Sequence, residues 1–216
     1  FKRSARESVP FITAFSTTST ADVFASAVIF KKHFGRIIMA IRFSLEAVPH
    51  KEQHSLAHSL LKDMLKGFYN IDYTEGMTKK AEHGKPYLAD YPDVHFNLSH
   101  SDGITACMVE SRQCGIDCEK VREYRPNVMK RAFSEKEREM IENAPENERD
   151  LLFFTLWTLK EAYIKAIGKG LSFPLNEAEF LIEDGNIISN IKDYEFRRYI
   201  IEDGKFVMAT ALKINA

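Results

Sequence analysis

The spacing of apolar and polar residues changes several times along the chain, and each change marks an element. Residues 37–43, IIMAIRF, form an unbroken, partly β-branched apolar run that predicts a strand. From 54 to 69, Leu56, Leu60, Leu61, Met64, Leu65 and Phe68 recur every three or four positions, which predicts an amphipathic helix ending near Asn70. Residues 72–92 hold two glycines and two prolines and read mostly as loop. VHFNLSH, ITACMVE and CGIDCE follow as three short strands separated by SDG and SRQ turns.

After Pro126 the period becomes helical. In FSEKE, Ser134 is placed to cap a helix and Glu137 stands at its third position, the spacing of a capping box. A polar break, NAPENER, leads into the longest helical pattern, about 149–167, closed by Gly168. The remainder reads as strands joined at the turn dipeptides Asp184-Gly185 and Asp203-Gly204. This order of elements predicts an α+β protein of two lobes, residues 1–110 and 111–216.

Composition narrows the function less than the pattern does. With 30 basic and 31 acidic side chains the formal net charge is −1, so no overall field favours nucleic acid or an anionic membrane. Cys107, Cys114 and Cys118 are odd in number and lack zinc-finger spacing, which predicts free thiols in a reducing cytoplasm. No apolar run approaches the roughly 20 residues that span a bilayer. Residues 1–36 are rich in Ser, Thr and basic residues. They fit either a transit-like or appended extension, with Met39 as an alternative start, or the beginning of the first lobe.

Candidate chemistry begins in GIDCEKVR, residues 115–122. Asp117 and Glu119 stand two apart in a strand, so both project to one face about 6.6–6.8 Å apart along the backbone. Two like charges at that spacing call for a cation, a proton or open water. In LLFFTLWTLKEAYIKAIGKG, Glu161 and Lys165 share a stripe one turn apart. Alone they read as a surface pair worth a few tenths of a kcal/mol. Yet Phe153, Phe154, Leu156, Trp157, Leu159, Tyr163 and Ile164 make this helix apolar around most of its circumference, so its charges need partners. Asp117, Glu119 and Glu161 converging on one point would suit a hard cation such as Mg²⁺ that also binds phosphate.

Five blocks in order carry a resemblance: GKPYL at 84–88, FNLSHS at 96–101, GID at 115–117, FSEKE at 133–137 and WTLKEAYIKAIGKGL at 157–171. Together they resemble the 4′-phosphopantetheinyl transferases, in particular the Sfp-like, surfactin-synthetase-activating class. The resemblance implies a monomer with two similar lobes about a pseudo-twofold axis, each a small antiparallel sheet on a long helix, with the metal site in the second. By the same resemblance Asp117, Glu119 and Glu161 would bind Mg²⁺, with Mn²⁺ as an alternative. Lys165, Ser99 and His100 would contact the coenzyme A diphosphate, and Lys85 and Pro86 would lie by its nucleotide end. Lys160 also falls on a motif position, where it would help stabilise charge on the diphosphate. The implied activity is that of a holo-[acyl-carrier-protein] synthase. Phosphopantetheine passes from coenzyme A to a serine of an acyl or peptidyl carrier protein and adenosine 3′,5′-bisphosphate leaves, with Glu161, Lys165 and Asp117 as the catalytic set and Glu161 as candidate base.

The first lobe departs from the family pattern. Where a basic residue normally precedes a Leu-Leu-Gly run, this chain has HSLLKD, with His58 in the basic position and Lys62 in place of glycine. Lys51, His54 and His58 are the groups at hand for a 3′-phosphate. Two other functions stay open: a non-catalytic member of the same fold, and another metal-dependent phosphoryl transferase such as a nuclease, which the absence of a basic groove disfavours. Glu137 is explained locally by the capping box. Strand alternation points Cys118 away from the acids, so it is not expected to be catalytic.

Overall fold

A computed structural model describes residues 26–33 and 36–214. The elements are β1 (Ser26–His33), β2 (Arg36–Ser44), α1 (His50–Tyr69), β3 (Thr78–Lys80), β4 (Pro86–Leu88), β5 (His95–Ser101), β6 (Ile104–Glu110) and β7 (Cys114–Lys120). They continue with α2 (Pro126–Ala132), α3 (Glu135–Asn143), α4 (Glu146–Ile167), β8 (Phe180–Glu183), β9 (Asn186–Ser189), β10 (Tyr194–Ile201) and β11 (Phe206–Lys213). Two antiparallel sheets, ordered β1-β2-β6-β5 and β10-β11-β7, form the frame, and two small hairpins complete the α+β architecture.

Period-two alternation explains how these layers stack. On β6, Ile104, Ala106 and Met108 face Cys114, Ile116, Cys118, Phe206 and Met208 of the second sheet, so the two sheets bury a shared apolar interior. The opposite face of the first sheet, with Cys107, Val109 and Phe96, packs on Leu60, Leu61, Met64 and Leu65 of α1. Val207, Ala209 and Ala211 of β11 pack instead against α4. Each sheet therefore carries one long helix on its outer face. Asp117 and Glu119 alternate with the inward Ile116 and Cys118, which places them on the face that α4 covers.

Gly115 sets how closely that helix approaches. A Cβ there would sit 2.0 Å from the Ala162 carbonyl oxygen and 2.5 Å from the Ala166 nitrogen, so only glycine lets α4 lie directly on β7. Both expected turn dipeptides close hairpins. Asp184 and Gly185, at φ 49° and 80°, join β8 to β9, and the bend around Asp203-Gly204 joins β10 to β11.

The strand expected at 37–43 is β2, and the helix expected at 54–69 starts four residues earlier, after Pro49. Residues 72–92 contain a 3₁₀ turn, Glu75–Met77, and the β3–β4 hairpin, where only loop was expected. The short helix α2 was not expected. Within 1–36, residues 26–33 form β1, paired with β2; residues 1–25 lie outside the described part.

Candidate active site

Asp117 is where the two sheets meet. β5 and β7 belong to different sheets, and side chains of β5 stitch them where no backbone ladder runs. Asn97 Oδ1 accepts from the Ile116 amide at 2.8 Å and Ser99 Oγ accepts from the Cys118 amide at 3.2 Å. Ser99 Oγ donates in turn to Asp117 Oδ1 at 2.8 Å, and Ser101 Oγ donates to Glu119 Oε2 at 2.8 Å. The same alternation that turns Phe96 toward α1 thus sends Asn97, Ser99 and Ser101 to the carboxylate strand.

From above, α4 delivers Lys165. Its ammonium donates to Asp117 Oδ1 at 2.6 Å and to Ser99 Oγ at 2.9 Å. Burial works to depress the Lys165 pKa, but the Asp117 carboxylate outweighs it, and the net shift is upward. Asp117 Oδ2 is buried with no hydrogen-bond partner. Glu161, one turn before Lys165, has its pKa pushed up to about 7, first by burial and then by Asp117, with Lys165 opposing and Glu119 adding to the rise. Glu119 is raised too, by burial and by Asp117, although Ser101 and Arg122, at 3.2 Å, pull the other way.

These groups fit a hard cation by donor type: three carboxylates, one with a buried oxygen that lacks a partner. They are not drawn together to ligating spacing. Among the described residues, the one group of three His, Cys, Asp or Glu with ligand atoms all within 4.8 Å of one another is His54, His58 and Glu75. Lys165 occupies the contact to Asp117 Oδ1 instead.

Other expected site residues stand elsewhere. Lys160 is a correction. Its side chain is 0% exposed, pairs with Glu137 Oε2 at 2.8 Å and donates to the Leu175 and Ala178 carbonyls, so no donor is left for a diphosphate. Five residues along a helix is about 500°, which turns Lys160 roughly 140° away from Lys165. Lys85 spends two of its donors on the Cys114 and Ala166 carbonyls, at 2.9 and 2.7 Å, tying the β3–β4 hairpin to β7 and α4. Lys85 and Pro86 also line a cavity of about 420 Å³ with Tyr87, Tyr91 and His95. His100 is exposed. Partial loss of hydration lowers its pKa, as do Lys165, His50 and His54, against Asp117. Ser101 and Arg122 were missed as site residues; Ser101 was legible as the residue two beyond Ser99 on the same strand face. All three cysteines are free and buried, and burial pushes the Cys118 thiol up to about 12, so it is no nucleophile.

A family model described as the 4′-phosphopantetheinyl transferase superfamily matches residues 113–211, which include β7, α4 and the three carboxylates. That segment belongs to the 4′-phosphopantetheinyl transferase superfamily. The chain is 34% identical over 146 residues to the 4′-phosphopantetheinyl transferase Sfp of Bacillus subtilis (strain 168), covering 67% of this chain and 65% of Sfp. It is 38% identical over 121 residues to the 4′-phosphopantetheinyl transferase gsp of Aneurinibacillus migulanus, covering 56% and 50%. The chain therefore spans about half to two-thirds of the length of these curated transferases. Among solved structures it is similar to a holo-(acyl-carrier-protein) synthase from Bacillus anthracis in complex with CoA (3′,5′-ADP), at a TM-score of 0.41 and 22% identity, covering 48% of this chain and 96% of that one. No described helix is long and apolar enough to cross a membrane.

Proposed function

We propose that this protein is a 4′-phosphopantetheinyl transferase of Sfp-like type. It moves phosphopantetheine from coenzyme A to a serine hydroxyl of an acyl or peptidyl carrier protein, with Mg²⁺, and releases adenosine 3′,5′-bisphosphate. The observation that carries this reading is the convergence of Asp117, Glu161 and Lys165 at the β7–α4 contact, with an unpartnered buried oxygen on Asp117. Asp117, Glu119 and Glu161 are the residues that would hold Mg²⁺, which supplies positive charge to the diphosphate as its bond breaks.

The chain's own groups account for the rest. Of the three ammonium donors on Lys165, two are used by Asp117 and Ser99, and the third is available to a phosphate oxygen. The serine oxygen attacks the phosphorus that carries pantetheine, and the bond from that phosphorus to the oxygen of the nucleotide half breaks. Glu161 is the candidate base that takes the serine proton. Lys85 and Pro86, beside the 420 Å³ cavity, are the proposed neighbours of the nucleotide end. A second cavity of about 220 Å³ adjoins Glu119, with Phe153, Phe154 and Trp157 for an apolar floor and Arg122 and Arg125 at its edge. A monomer acting in the cytoplasm, where its three thiols stay reduced, completes the reading.

The test is the intact mass of several apo carrier proteins, drawn from fatty-acid, polyketide and nonribosomal-peptide systems, after incubation with the protein, coenzyme A and Mg²⁺. We expect a gain of one phosphopantetheine per carrier that EDTA abolishes. No gain on any carrier, with coenzyme A binding still measurable, would replace this reading with a non-catalytic binding role.

A further inference from the structure

We propose that His54, His58 and Glu75 form a second metal site, for a transition-metal dication of the Zn²⁺ class and separate from the carboxylates at Asp117. His54 and His58 stand one turn apart on one stripe of α1, with ring centroids 4.3 Å apart. The 3₁₀ turn Glu75–Met77 brings a carboxylate against them, and the three ligand atoms lie within 4.8 Å of one another. Two imidazoles and one carboxylate form the donor set of zinc sites that keep a fourth position open, and imidazole nitrogen favours such ions over Mg²⁺.

The surroundings hold this set in place. His58 Nδ1 is hydrogen-bonded to the Tyr73 hydroxyl at 2.7 Å, which fixes the ring and leaves Nε2 for a ligand, the outer-shell arrangement that orients metal-binding histidines. Tyr73 itself is 3% exposed in the core beneath α1. The turn is pinned by Thr78 Oγ1, which donates to the Glu75 carbonyl at 2.7 Å, and by the Lys66–Asp72 pair at 2.8 Å. Bound metal would staple the segment after α1 back onto the helix.

The test uses the full chain carrying Asp117→Asn, so that the carboxylate site is weakened. Zn²⁺ is titrated by calorimetry and Co²⁺ by visible absorption, both in excess Mg²⁺. We expect one ion per chain, a rise in thermal midpoint of several degrees with Zn²⁺, and a weakening of at least about tenfold in His54→Ala and in Glu75→Gln. His54 and Glu75 are exposed, so both variants should fold, and His50→Ala serves as the control that changes nothing. Tyr73→Phe should weaken binding by roughly tenfold without removing a ligand. Absence of saturable binding, or binding unchanged by His54→Ala and Glu75→Gln, would overturn the proposal.

Discussion

Helix α4 carries two lysines that both pair with a carboxylate, and the two pairs are built for different purposes. Lys160 and Glu137 are each 0% exposed. Glu137 also accepts from the Ser134 amide at 2.6 Å and the Phe180 amide at 2.8 Å, while Lys160 reaches two carbonyls, so the knot closes with its charges satisfied. Lys165 and Asp117 are 29% and 7% exposed, and their neighbourhood is unfinished. Asp117 Oδ2 has no partner, and Glu161 and Glu119 both resist ionisation. A satisfied buried pair locks structure, whereas an unsatisfied one with perturbed carboxylates around it is a candidate for function.

Substitutions can break that contrast. The largest expected effect is on stability at the closed knot. Lys160→Met should lose about 3–5 kcal/mol in denaturant unfolding, because Glu137 is left as an uncompensated buried charge, and adding Glu137→Gln should recover much of the loss. Next comes the open site: Asp117→Ala should lower transfer at least roughly a hundredfold while leaving the unfolding midpoint nearly unchanged. Retained turnover in that variant would sink the site assignment.

The smallest expected effect sharpens the comparison through pH. The Glu161 carboxyl rises from 4.5 unfolded to about 7 folded, so the folded state binds the extra proton between these values and stability falls as pH rises through that window. Below about pH 4.5 the penalty is absent, and above 7 it is constant, at about 3 kcal/mol. Thermal melts of the metal-free protein and of Glu161→Gln should therefore coincide near pH 4.5 and diverge by pH 7.5, with the variant higher. Parallel curves would mean that Glu161 is not held off ionisation.

Sequence and structure agree where local chemistry is strong. The period of α1 and α4, the capping box at Ser134 and Glu137, and the Asp-Gly turns were all legible because each depends on residues within one or two turns. Strand β1 was not, because the Ser-, Thr- and base-rich residues around it mask its Ala-Val-Ile-Phe run, a usable strand signal that its pairing with β2 bears out. The seven-residue α2 was missed for lack of period, although Pro126 at its first turn was a usable signal. At the site, alternation placed Asp117 and Glu119 on one face, but it could not show that Gly115 clears the way for α4 or that Lys165 rests on Asp117. The Lys160 expectation failed because a motif position reports that a residue matters and says nothing of its direction. Its ammonium is taken up by Glu137 and by carbonyls that lie 15 and 18 residues on.

The most direct test sets the two lysines side by side: Lys165→Met and Lys160→Met, each assayed by intact mass for phosphopantetheine transfer and corrected for the folded fraction. The account predicts that Lys165→Met, whose lysine is 29% exposed, loses less stability than Lys160→Met but loses transfer by about a hundredfold or more per folded molecule, while Lys160→Met is far less stable yet transfers at near wild-type rate per folded molecule. Equal losses per folded molecule in both variants, or full activity in Lys165→Met, would contradict the division between a structural and a functional pair.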